Sequence, residues 1–154
     1  MKSAVAERAG PYLALETLRV QDAMHFGFVS CRSDTPLRTV ARLMSTSRVH
    51  AVLVTAYGEQ EPTGGESWGI VADTDLIRAA GAAGLDEQAA GAVATVPAAT
   101  VRADERLSGA ARLMVEEKAS HLIVVDPRSG KPIGMLSTLD VARALAGFPE
   151  RHPL

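Results

Sequence analysis

Apolar residues recur at Leu37, Val40, Ala41 and Met44, and again at Leu107, Ala110, Ala111 and Met114, in both cases at i, i+3, i+4 and i+7. Side chains so spaced share one face of a 3.6-residue turn, which predicts two amphipathic helices. Asp34 and Asp104 precede them where N-caps belong, and Pro36 is tolerated in a first turn. Short β-branched runs at Val49 to Thr55 and Leu122 to Val125, and shorter ones at Gly69 to Val71 and Ile133 to Leu136, predict strands. Turn residues such as Pro127, Ser129 and Gly130 separate the second pair. Ala-rich helical segments follow at Asp75 to Ala83 and Asp140 to Ala146.

The pattern is one unit written twice. Asp34-Thr-Pro-Leu-Arg-Thr-Val-Ala-Arg-Leu-Met44 aligns with Asp104-Glu-Arg-Leu-Ser-Gly-Ala-Ala-Arg-Leu-Met114 at an offset of 70, with six of eleven positions identical. The same offset pairs Val20, Asp22 and Met24 with Ala90, Ala92 and Ala94, and Val29-Ser30 with Ala99-Thr100. His50-Ala-Val-Leu-Val54 aligns with His121-Leu-Ile-Val-Val125 at 71, and Gly69 to Asp75 with Gly134 to Asp140 at 65. These offsets imply one residue missing from the first copy between Met44 and His50. They also imply extra residues in its Gly58 to Ser67 segment, whose Gly, Glu and Pro content predicts a surface loop.

Each copy reads strand, helix, strand, strand, helix. A small, mostly three-stranded sheet covered by helices on one face leaves the other face needing a partner, which a second copy supplies. The predicted class is α+β with α/β-type repeats. Its boundaries are an N-terminal extension or helix at 1–17, repeat 1 at 18–84, repeat 2 at 85–147 and a tail at 148–154. The Ala-Gly run from Ala79 to Ala94 is expected to be a weakly helical linker.

Composition narrows the function classes. The chain has 154 residues and a formal charge of −2, which gives no field for holding a polyanionic backbone, so nucleic acid is not an expected partner. Its first residues carry Lys2, Glu7 and Arg8, unlike a secretory signal, and the charge-free stretch from Gln88 to Val101 is too short to span a bilayer. One cysteine, Cys31, fits a reducing compartment, so a cytoplasmic location without membrane attachment is expected. Cys31 has no histidine nearby in sequence, and His25, His50, His121 and His152 lack metal-ligand spacing. No Gly-rich phosphate loop precedes a helix. These features predict a protein that is not an enzyme.

The repeat resembles a tandem pair of cystathionine β-synthase (CBS) domains, the Bateman module, over roughly residues 18 to 147. The resemblance is carried by Val20-Gln-Asp-Ala-Met24, the helix ending Ala-Arg-Leu-Met in both copies, His121-Leu-Ile-Val-Val-Asp126, and Gly-x-x-[Ser/Ala]-x-x-Asp at 69–75 and 134–140. It implies pseudo-two-fold symmetry and clefts between the repeats that take AMP, ADP, ATP or S-adenosylmethionine. It also implies a regulatory role without catalysis, further association as a homodimer, and signalling to a separate partner protein. A ligand-free dimerisation or interaction scaffold is the alternative.

The same resemblance assigns candidate residues. Asp140 and Asp75 would accept hydrogen bonds from ribose hydroxyls, a role that suits ionised carboxylates. Each also stands where an acid complements a helix dipole, and Ser137-x-x-Asp140 has the form of a capping box. Ser137, Thr74, His121 and His50 would meet the phosphate or other polar groups. Val29, Ser30, Ala99, Thr100, Ala51 and Leu122 would line the adenine. Ala72 replaces the hydroxyl of Ser137 in the first copy, so the position built on Asp140 is expected to outrank that built on Asp75.

Overall fold

The computed structural model describes residues 15–55, 67–82 and 84–147. The expectations for 1–14, 58–66 and 148–154 lie outside the described residues. In chain order the elements are α1 (Val20–Ala23), β1 (His25–Phe26), β2 (Ser30–Arg32), α2 (Leu37–Ser47), β3 (Ala51–Thr55), β4 (Gly69–Ala72) and α3 (Asp73–Ala82). These are followed by α4 (Ala90–Val93), β5 (Thr100–Arg102), α5 (Leu107–Glu116), β6 (His121–Val125), β7 (Pro132–Ser137) and α6 (Thr138–Leu145). Helices and mixed sheets in two repeats confirm the α+β class.

Two compact units form, and they do not coincide with the two sequence copies. An inner unit runs from Phe28 to Ala98, while a split unit joins residues up to Gly27 with those from Ala99 onward. The inner unit holds a three-stranded sheet in the order β2-β3-β4. Strands β2 and β3 are parallel, joined through α2, and β3 and β4 are antiparallel. As the central strand, β3 is buried from Ala51 to Val54, which explains its unbroken apolar sequence. Val52, Val54 and Val71 pack against Leu37, Val40 and Met44 of α2, Ala79 of α3 and Ala90 of α4.

The split unit repeats this plan with a fourth strand, in the order β1-β7-β6-β5. Its core gathers Leu107, Ala110 and Met114 of α5, Leu122, Val124 and Leu136 of the sheet, and Val141 and Ala144 of α6. Val20 and Met24, from far earlier in the chain, complete it at 0% exposure. The i, i+3, i+7 residues of both amphipathic helices are therefore core residues, as the periodicity predicts.

Three local expectations are corrected. Asp34 and Asp104 are not N-caps: the helices begin after Pro36 and Arg106, and the two aspartates meet Arg32 and Arg102 instead. The first helical amides are satisfied by distant backbone, Leu37 N–H donating to Gln88 O at 3.0 Å and Leu107 N–H to Leu18 O at 2.9 Å. The Ala79 to Ala94 run is not a bare linker either. Ala79 and Ala90 are core residues of the inner unit, and the Gln88 side-chain amide donates to the carbonyls of Ala79 and Gly84.

The third correction concerns register. Ser30 pairs with Leu53 and Thr100 with Ile123, while Ala51 pairs with Ala72 and His121 with Ser137. Both ladders require an offset of 70 through β3 and β6, not 71. The preceding turns agree, since Arg48 and Lys118 both adopt a left-handed conformation there. His121 is therefore equivalent to Ala51, and His50 to Ser120. No residue is missing between Met44 and His50, and the first copy has five more residues between Thr55 and Gly69, where the offset falls from 70 to 65. The apolar run tolerates either alignment by composition, and only the hydrogen-bonded ladder decides.

Candidate functional site

Asp140 and Asp75 occupy equivalent places, three residues beyond the last residue of β7 and β4 and in the first turn of α6 and α3. Ser137 is the N-cap of α6, and the capping box forms. Its amide donates to Asp140 Oδ2 at 2.8 Å and its hydroxyl to the same oxygen at 3.0 Å. In return the Asp140 amide donates to the Ser137 hydroxyl at 3.2 Å. The other carboxylate oxygen, Oδ1, lies 2.9 Å from His25 Nδ1 and 3.8 Å from the Arg143 guanidinium. The Asp140 side chain is 2% exposed, and it is the one buried charged group among the described residues. Burial of a carboxylate is tolerated because donors surround both oxygens.

Asp75 is less enclosed. The Ala72 amide donates to its Oδ2 at 2.8 Å, the backbone half of the same box, but Ala72 has no hydroxyl to add. Its Oδ1 meets Arg78 at 3.1 Å, and the side chain is 17% exposed. Thr95 stands where the split unit has His25, since the bridge between Ile70 and Thr95 matches the pairing of Met135 with His25.

The remaining candidates divide between the units. In the split unit, His121 at the start of β6 lies opposite Ser137 at the end of β7, so His121, Ser137 and Asp140 are brought to one end of the hairpin. His121 Nδ1 is 2.9 Å from Ser120 Oγ. Thr100 is exposed, Ala99 is partly buried against the core, and Leu122 is wholly buried in it. Leu122 has no surface to offer an adenine and is a core residue. In the inner unit, His50 lies just before β3 with its Nδ1 2.9 Å from Asp73 Oδ2, both exposed. Thr74 and Ser30 are exposed, Val29 packs against the core, and Ala51 is buried at 3% exposure.

Sequence reasoning missed His25, Arg78 and Arg143 as neighbours of the two aspartates. The arginines had a signal, since Asp-x-x-Arg stands in both copies at helical i, i+3 spacing. His25 had none, because its approach depends on the pairing of β1 with β7 across more than a hundred residues. Among the described residues no His, Cys, Asp and Glu cluster suits a metal, and no helix is long and apolar enough to cross a membrane. Burial pushes the Cys31 thiol up from its ordinary value, opposed by a hydrogen bond from Thr35 and reinforced by the Asp34 charge. An activated thiol nucleophile shows the opposite shift.

A family model for the CBS domain matches residues 20–82 and 90–147. No curated protein sequence matches. Among solved structures, a CBS domain protein from Pyrobaculum aerophilum complexed with AMP is 25% identical with a TM-score of 0.68, over 84% of this chain and 99% of that one. The CBS domain of a bacterial CNNM/CorC family Mg2+ transporter in complex with ATP is 19% identical with a TM-score of 0.73, over 94% and 98%. A hexameric CBS-CP12 protein from bloom-forming cyanobacteria is 20% identical with a TM-score of 0.71, over 81% of this chain and 66% of that one.

Proposed function

The chain belongs to the CBS-domain family and carries that domain twice, and from this premise we propose that it is a non-catalytic regulatory module that binds an adenosyl ligand and passes its state to a partner protein. The observation that carries this reading is the recurrence, in both repeats, of a strand-to-helix junction that ends in an aspartate held by its own backbone box. Such a carboxylate is held in a fixed orientation, and carboxylate oxygens are good acceptors for a ribose diol. The AMP and ATP complexes of similar proteins point to the same ligand class. S-adenosylmethionine and ADP share the adenosine that these residues would hold.

Within this reading Asp75 is the readier ribose contact, reversing the order suggested by the Ser137 hydroxyl. Ser137 spends that hydroxyl on Asp140, whereas Asp75 keeps acceptor capacity on a carboxylate that reaches the surface. Thr74, Ser30 and His50 are exposed in the same unit and are the polar candidates beside it. Ligand can shift the module only by binding one of its conformations more tightly than another. Homodimerisation and a cytoplasmic location remain parts of this proposal.

A thermal-shift panel with AMP, ADP, ATP and S-adenosylmethionine tests it, on the wild type and on Asp75→Ala and Asp140→Ala. A ligand at a hundredfold excess over its Kd stabilises by about 2.7 kcal/mol. The expected result is a shift with at least one of the four that disappears in Asp75→Ala. No shift with any of them favours the ligand-free interaction scaffold.

A further inference from the structure

Asp140 and Asp75 are equivalent in sequence and fold, yet only Asp140 has a histidine on its outward oxygen. A carboxylate offers about four lone-pair positions. Around Asp140 the Ser137 amide and hydroxyl take Oδ2, while His25 Nδ1 stands 2.9 Å from Oδ1 and the Arg143 guanidinium lies beyond hydrogen-bond distance at 3.8 Å. Oδ1 keeps acceptor capacity, but with the side chain 2% exposed a diol has no approach to it while the His25 ring stands there. His25 and Arg143 are both about half exposed, at 54% and 51%, but His25 is the nearer and lies on a two-residue edge strand, so its ring can turn into solvent without disturbing the core.

We propose that His25 is a specificity-determining residue that occludes the ribose position at Asp140, so that the split unit accepts an adenosyl ligand only when the His25 ring is displaced, while the inner unit accepts one directly. This rests on the adenosyl-binding reading above. It goes beyond that reading by making the two positions unequal through one side chain. The imidazole Nδ1 stands 2.9 Å from Oδ1, in the place a ribose hydroxyl would take, and ligand at Asp140 must displace the ring first. A ribose hydroxyl that reaches a carboxylate makes one of the stronger kinds of hydrogen bond, so removing the competitor is expected to tighten binding there by roughly tenfold or more.

Isothermal titration of the full chain with AMP, ATP and S-adenosylmethionine tests this. The wild type is expected to take one ligand per chain, lost in Asp75→Asn. His25→Ala is expected to add a second binding event, which survives in His25→Ala/Asp75→Asn and vanishes when Asp140→Asn is added. His25→Asn, whose side-chain amide can stand in the place of Nδ1 beside Oδ1, is expected to return the count to one at unchanged melting temperature. A purely structural role for His25 would produce neither the added event nor its reversal. Two equivalent events in the wild type, or an unchanged count and affinity in His25→Ala, overturn the occlusion and leave the adenosyl-binding reading standing. No binding by the wild type or by His25→Ala overturns both.

Discussion

Gly134 has no room for a side chain. A Cβ built there meets the His25 carbonyl oxygen and the Met24 methyl, because β1 crosses β7 at this residue. The carbonyl belongs to a paired strand and cannot retreat cheaply, so Gly134→Ala is expected to destabilise the protein by more than about 2 kcal/mol. Gly109 is the opposite case, lying inside α5 with nothing near its would-be Cβ. Gly109→Ala is expected to stabilise by about 0.5 to 1 kcal/mol, since alanine loses less backbone freedom in a helix. Urea unfolding of the two variants checks both signs. Gly134 recurs as Gly69 in the first copy whereas Gly109 aligns with Thr39, but the alignment does not say what excludes a side chain at Gly134. Distance along the chain hides the strand that makes one indispensable.

At the scale of elements, periodicity found the helices and strands because it reports burial directly, and Leu37, Val40, Leu107 and Leu122 are all at 0% exposure. Helix starts were less legible, because the groups that satisfy Leu37 and Leu107 amides are backbone carbonyls with no sequence signature. The shared histidine that suggested an offset of 71 is a coincidence of two positions near strand starts, and only cross-strand pairing reveals it. The capping box at Ser137 was visible as Ser-x-x-Asp and is formed. Ser137→Ala removes an acceptor from the Asp140 amide and a donor from a buried carboxylate, and is expected to cost about 1 to 2 kcal/mol. Ala72→Ser places a hydroxyl at the equivalent junction and is expected to be neutral or to gain up to about 1 kcal/mol. Thermal unfolding of the pair, compared with the wild type, measures the asymmetry between the two junctions.

At the scale of the molecule, the duplication was plain in the sequence but the packing units were not. Repeats are read along the chain, whereas the split unit takes Val20, Met24 and β1 from the opposite end. A fragment of residues 85–147 holds the whole second copy yet lacks these residues, and is expected to be largely unfolded by circular dichroism at 25 °C. Adding a peptide of residues 15–27 in excess is expected to restore part of its helical and strand signal, because it returns two fully buried side chains and the edge strand. A cooperatively folded 85–147 fragment would show that the core is complete without them. The same division orders events during synthesis. A ribosome makes the inner unit as one uninterrupted stretch, while the α1 and β1 segment emerges before it and waits for partners that appear only after it. The inner unit is therefore expected to become stable before the split unit, with α1 and β1 among the last elements to settle although they are made earlier.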